Sequence, residues 1–217
     1  FGWCDNEAVP APSPAREEHM RPIIAQVFAA VRWLHDLGIA HRDLSLENIL
    51  LVGTGADARV KVIDFGMATL RRTARSEVRG KASYQAPEMH TGGDMDTFLS
   101  DIFALGVVIF AMAAQDYPWT CTKRGKCQLF EYVHSFGLRR FFDKRRLRKG
   151  NGEYLVDVFT PGFIEVIDTM LNFQPKQRGC VGEVTFQDDV RRKRRPSVWD
   201  LPHLKGADAA LPKPGGD

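Results

Sequence analysis

The chain has 217 residues, 44% of them apolar and 26% charged, with a net charge of +3, as for a soluble globular domain with one sizeable core. Four irregularly spaced cysteines exclude a disulfide framework and point to reduced thiols. The longest apolar run, Ile102 to Ala114, is shorter than the roughly 20 residues of a membrane-spanning helix, so it reads as a buried core segment. The N-terminus shows no secretory signal pattern, and the expected location is intracellular: cytoplasmic, with a nuclear-import-like basic run at Arg191 to Arg195. Neither a membrane nor a nucleic acid is an expected partner, and oligomeric state is not legible. Cys121, Cys127 and His134 lack the further ligand pair that a zinc site needs, and read as structural residues.

Met20, Ile23, Ile24, Val27, Phe28, Val31, Leu34 and Leu37 recur at three- and four-residue spacing, which predicts an amphipathic helix over 20–37. Ser13-Pro14 with Glu17 and Glu18 supplies a helix start, and Gly38 a stop. Two short β-rich runs, Asn48 to Val52 and Val60 to Asp64, predict a strand pair around the turn at Gly53-Thr-Gly-Ala-Asp57. A polar, Arg-rich loop is expected from there to about Glu88. Asp101 to Ala114 is apolar on all sides, as for a central helix, and Thr160-Pro161 opens another through Leu171. The last residues, rich in Pro, Gly and Ala, suit a disordered tail.

His41-Arg42-Asp43-Leu44-Ser45-Leu46-Glu47-Asn48 falls on a loop between the first helix and the first strand. Asp64-Phe65-Gly66 closes the second strand, and Ala86-Pro87-Glu88 ends the loop after it. Holding a polyphosphate in line with an acceptor hydroxyl requires oxygen ligands for Mg²⁺ and a carboxylate beside the hydroxyl, and these loops offer both. In these three motifs and their order the chain resembles the protein kinase family. The resemblance implies a mainly α, kinase-like C-terminal lobe with a small β-hairpin carrying the catalytic and metal-binding loops. It implies ATP and Mg²⁺ as cofactors and a protein substrate, with phosphoryl transfer to Ser/Thr hydroxyls.

By the same resemblance Asp43 orients the acceptor and takes its proton, Asn48 and Asp64 hold metal ions bridging the ATP phosphates, and Gly66 is counted with them as cofactor-binding. Leu50 lies under the adenine, and His41 and Phe65 stack in the core linking the lobes. Arg42 docks the activation loop, with Glu77 standing where many relatives carry an activating phosphothreonine. Asp101, opening the central helix, holds the backbone of the catalytic loop, and Glu88 pairs with Arg178. Glu47 is left to attract a substrate arginine. Ser45 and Lys81 occupy the places of a lysine and a threonine in most Ser/Thr kinases, the same functional types with positions exchanged, and both are counted with the catalytic group.

The resemblance covers about 1–178 and resumes at Pro196 to Leu204, so one domain is expected over 1–204, with a surface-loop insertion at 179–195 and a disordered tail at 205–217. Ser197 is both an arginine-directed phosphorylation site and a candidate helix cap. No Gly-rich phosphate loop, strand lysine or partner glutamate precedes Phe1-Gly-Trp-Cys4, so the N-terminal lobe is expected to be absent and the chain alone inactive. Two readings follow: a fragment or incomplete gene model of an active kinase, or a lobe-only pseudokinase acting as a docking or regulatory module.

Overall fold

A computed structural model describes residues 9–53, 57–149, 152–187, 190–193 and 197–206. The first helix, α1 (Pro14–Asp36), begins where its signals place it: the Ser13 hydroxyl accepts the Arg16 N–H, and Pro14 fills a position whose N–H would have no helical partner. Its periodic residues from Met20 to Leu34 are buried, whereas Leu37 is exposed in the turn at Gly38. Strands β1 (Ile49–Val52) and β2 (Arg59–Val62) form the expected antiparallel hairpin, with Ile49 opposite Val62. Residues 54–56 of its turn lie outside the described residues.

The Arg-rich stretch is more ordered than a loop. Strand β3 (Thr73–Arg75) pairs with β4 (Asp94–Asp96), a pairing that short, polar sequences do not advertise. The Arg72 guanidinium reaches Asp96 at 3.1 Å and lies 4.3 Å above the Phe98 ring. Asp96 then caps α2 (Thr97–Ala114) by accepting the Phe98 and Leu99 N–H groups. The central helix therefore starts four residues before Asp101, one turn earlier than its fully apolar stretch suggests.

All 18 residues of α2 are buried, and the other described elements are built around it. Among the described residues the remaining α-helices are α3 (Gln128–Phe136), α4 (Leu138–Lys144), α5 (Leu155–Val158) and α6 (Pro161–Met170). Helix α6 crosses α2 at Gly106, where an added Cβ would stand 2.7 Å from the Leu171 side chain and 3.1 Å from that of Met170. Behind α1, the buried Glu17 carboxylate accepts both the backbone N–H and the hydroxyl of Thr160, which caps α6. Burial raises the Glu17 pKa despite those bonds.

Within 179–195, Cys180, Val181 and Glu183 are buried, so the stretch does not begin as a surface loop. The chain leaves as an antiparallel hairpin, β5 (Val184–Gln187) with β6 (Val190–Lys193), and returns beside its departure point, where Cys180 bridges Ser197. Ser197 is only 4% exposed and its hydroxyl accepts the Trp199 N–H. That favours the cap over the phosphorylation site, although what it caps is a single 3-10 turn (Val198–Asp200). The expected tail lies, from residue 207 on, outside the described residues, as do residues 1–8.

Arg178 ties these parts together. Its guanidinium makes a two-bond pair with Glu88, at 2.7 and 3.0 Å, as expected from the sequence. It also donates to the Leu99 and Asn172 carbonyls and lies 5.0 Å from the Phe103 ring. The Arg178 side chain is fully buried, so removing either partner strands a charge in the interior. Arg178→Met and Glu88→Gln are each expected to cost about 3–5 kcal/mol. By calorimetry this corresponds to a fall in Tm of roughly 6–20 °C for a domain of this size, and a fall below about 2 °C would contradict the account.

Candidate active site

After α1 the chain turns at Gly38 and exchanges two backbone hydrogen bonds with Thr69 through Ala40, both 2.9 Å. The next two N–H groups, of His41 and Arg42, donate to the Asp101 carboxylate at 2.8 Å each, and the His35 ring bonds the same carboxylate at 3.0 Å. Asp101 sits one turn inside α2, not at its opening, yet holds the loop backbone as expected. Arg42 adopts φ +68°, a left-handed conformation costing a side-chain-bearing residue about 1–2 kcal/mol. The N–H bond to Asp101 and an ion pair from its guanidinium to Glu77 hold it there.

Asp43 follows. The Asn48 amide nitrogen donates to the Asp43 backbone carbonyl at 2.8 Å and to its carboxylate at 3.1 Å, which turns the amide oxygen the other way. Asn48 also extends the β1–β2 ladder, its carbonyl accepting the Ile63 N–H at 2.9 Å. That register places Asp64, the next residue, at the same end of the hairpin. Asp64 has φ +63°, and its carboxylate accepts the Gly66 N–H at 3.2 Å. A Cβ on Gly66 would stand 3.1 Å from that carboxylate oxygen, so a side chain there would crowd the Asp64 carboxylate. His41 bonds the Ile63 carbonyl at 3.0 Å, and its ring packs 5.1 Å from that of Phe65, joining the two loops.

The donors at this end are an amide oxygen and carboxylates, which suit a small hard cation that takes its remaining ligands from phosphate and water. Among the described residues no group of three or more His, Cys, Asp and Glu side chains is placed to hold a metal, Cys121, Cys127 and His134 included. Leu50 on β1 is 42% exposed, and Phe65 is 47% exposed, so apolar surface lies beside the polar donors.

Residues 77–85 run across the front of the loop. Gly80 has φ +76°, and a Cβ on it would stand 3.0 Å from the Arg42 carbonyl and 3.3 Å from the Asp43 carboxylate. The approach therefore requires glycine. Lys81 comes next, and its ammonium donates to the Ser45 hydroxyl at 3.1 Å and pairs with Glu47 at 2.8 Å. Burial would raise the Glu47 pKa, but the Lys81 hydrogen bond and its other bonds outweigh it and leave the carboxyl below its ordinary range. Glu47 thus has an intramolecular cation where the sequence suggested a substrate arginine. Hydrogen bonding to Arg42 likewise lowers the Glu77 pKa.

Sequence reasoning did not find the residues that hold this segment. Tyr84 accepts the Leu46 N–H at 3.2 Å and meets the Tyr117 hydroxyl at 3.0 Å, and burial pushes the Tyr84 phenol well above its ordinary pKa. Trp119 donates to the Ser83 carbonyl at 3.1 Å and Thr122 to the Gln85 carbonyl at 2.8 Å. These partners stand more than thirty positions along the chain, beyond any local pattern.

The protein kinase domain family matches residues 6–188. CBL-interacting protein kinase 20 of Oryza sativa subsp. japonica is 29% identical over 213 residues, 90% of this chain and 41% of its own length. A probable myosin light chain kinase of Dictyostelium discoideum is 40% identical over 119 residues, 54% of this chain and 33% of its own. Testis-specific serine/threonine-protein kinase 3 of Mus musculus is 34% identical over 113 residues, 50% of this chain and 41% of its own. The chain thus spans between a third and about two-fifths of the length of these relatives. The match covers most of the sequence and every residue of the site, and the chain belongs to the protein kinase domain family.

Proposed function

We propose that this lobe carries the acceptor and metal-binding half of ATP-dependent phosphoryl transfer to Ser/Thr hydroxyls of proteins. The observation that carries the proposal is the Asn48 amide, which fixes the Asp43 carboxylate while standing in register beside Asp64. A lobe used only for docking has no need to hold a carboxylate and two oxygen ligands in one geometry. The names of relatives such as the murine testis-specific serine/threonine-protein kinase favour Ser/Thr as acceptor.

In this reading Asp43 orients the acceptor hydroxyl and receives its proton. Asn48 and Asp64 hold Mg²⁺, which when bound neutralises phosphate charge on ATP. Gly66 leaves the Asp64 carboxylate uncrowded, and Leu50 offers an exposed apolar side chain to the flat face of the base. Lys81 supplies the positive charge beside the transferring group, and the Ser45 hydroxyl supplies its hydrogen-bond partner. Arg42 is held by a fixed carboxylate, Glu77, so the segment in front of the site is ordered without phosphorylation.

Protein isolated from its native cells should transfer phosphate from Mg-ATP to a generic protein substrate, with Asp43→Ala and Asp64→Ala each abolishing turnover. Activity that survives either change defeats the proposal. In an active preparation Lys81→Met should lower kcat by roughly 10²–10³, as for loss of a preorganised donor to developing charge. Ser45→Lys combined with Lys81→Thr should recover much of that loss, because the two side chains form one network. A double variant no better than the product of the singles would remove Lys81 and Ser45 from the catalytic group. Glu77→Ala should speed tryptic cleavage at Arg75 and Arg79 by roughly fivefold, the order expected for losing one partly exposed pair. An unchanged cleavage rate, together with strong activation by phosphorylation at Ser76 or Thr73, would overturn the role of Glu77.

A further inference from the structure

A groove of about 490 Å³ lies between α3, α4 and the segment that follows them, apart from every residue assigned to phosphoryl transfer. Leu129, Tyr132, Phe141 and Leu147 give it an apolar floor: Phe141 and Leu147 are buried, and Leu129 and Tyr132 are half-buried against the core. The rest of its lining is Lys144, Arg145, Arg146 and Arg148, with no acidic residue among them.

The positive charge of this rim is poorly compensated. Arg145 and Arg148 share one carboxylate, that of Asp116, at 2.8 and 3.3 Å. Arg146 has neutral partners, the Gly152 carbonyl and the hydroxyl and ring of Tyr154, whose centroid lies 4.1 Å from its guanidinium carbon. Lys144 makes no ion pair among the described residues. Among the described residues four cations therefore face one carboxylate, and Asp116 and Tyr154 hold the three guanidinium groups in place. A held guanidinium loses less freedom when it binds, and its planar fork matches a carboxylate.

We propose that this groove docks an acidic segment of a partner protein, in which Asp or Glu residues flank a large apolar side chain. The volume suits a few residues, and the complementary charge would speed encounter and reject basic segments. The apolar floor decides the class of partner. Phosphate groups alone would meet only the rim, whereas carboxylates flanking a large apolar side chain meet the rim and the concave floor of Leu129 and Tyr132 together.

Fluorescence anisotropy with the full 217-residue chain tests this, using a labelled peptide of Glu residues around a central Leu and Phe. Binding should weaken roughly tenfold when Gln replaces Glu, when Ala replaces Leu and Phe, or when the protein carries Lys144→Glu with Arg146→Glu. It should also weaken as salt rises, while Lys126→Glu, outside the groove, changes little. If the double reversal lowers the melting temperature, Lys144→Gln with Arg146→Gln gives the same comparison without charge repulsion. Equal binding of the Gln or Ala peptide, or full binding by both double variants, overturns the proposal. So does tight binding of a single-stranded oligonucleotide or of phosphatidylserine vesicles that depends on Lys144 and Arg146 and that the acidic peptide cannot displace.

Discussion

Asp101 is a carboxylate with almost no exposure to water, and the geometry of the active site follows from how it is satisfied. Burying a charge is tolerable only when hydrogen bonds replace its hydration, and three do so: from His41 N–H, Arg42 N–H and the His35 ring. Two of the three come from successive residues of one loop, so the requirement of the charge fixes the backbone immediately before Asp43. The platform that carries this acceptor is α2, buried along its whole length and closely packed on α6 at Gly106, so Asp101 has little freedom to move. A rigid scaffold thereby holds a left-handed Arg42 that an unsupported loop would relax.

The second constraint is the run of contacts in front of that loop. Gly80 passes within backbone distance of Arg42 and Asp43, Tyr84 takes the Leu46 N–H, and Trp119 and Thr122 hold the carbonyls of Ser83 and Gln85. Below them the Glu88–Arg178 pair anchors the end of the segment to the start of α2 through the Leu99 carbonyl. The chemistry-bearing loops thus lie between two sets of buried polar contacts. The basic groove beyond α3 shares only the helical framework with them, so the two proposed roles can be tested separately.

Lys81 shows how tertiary contact redistributes the roles of surface charges. The resemblance set it beside the Ser45 hydroxyl, but its sequence position does not reveal which carboxylate it meets. In the fold it reaches both Ser45 and Glu47, joining two segments 36 positions apart. The same contact occupies Glu47, which the sequence alone offered to a substrate. Arg42 and Glu77 are coupled in the same way across the front of the site.

By itself the sequence determined the elements whose signals are local. The apolar periodicity and cap of α1, the β1–β2 hairpin, the all-round apolarity of α2 and the proline-led start of α6 depend on residues within a few positions of one another. Two of the motifs likewise marked Asp43, Asn48 and Asp64 as candidates, because each stands in a short, specific pattern. Only the tertiary structure decided the β3–β4 pairing, the true start of α2 after its Asp96 cap, the pairing of Lys81 with Glu47, the partners of Tyr84, and the β5–β6 hairpin. These depend on groups brought together from distant parts of the chain. A polar side chain carries no mark of whether its partner will be water, a neighbouring loop or a buried backbone group until packing has removed the water.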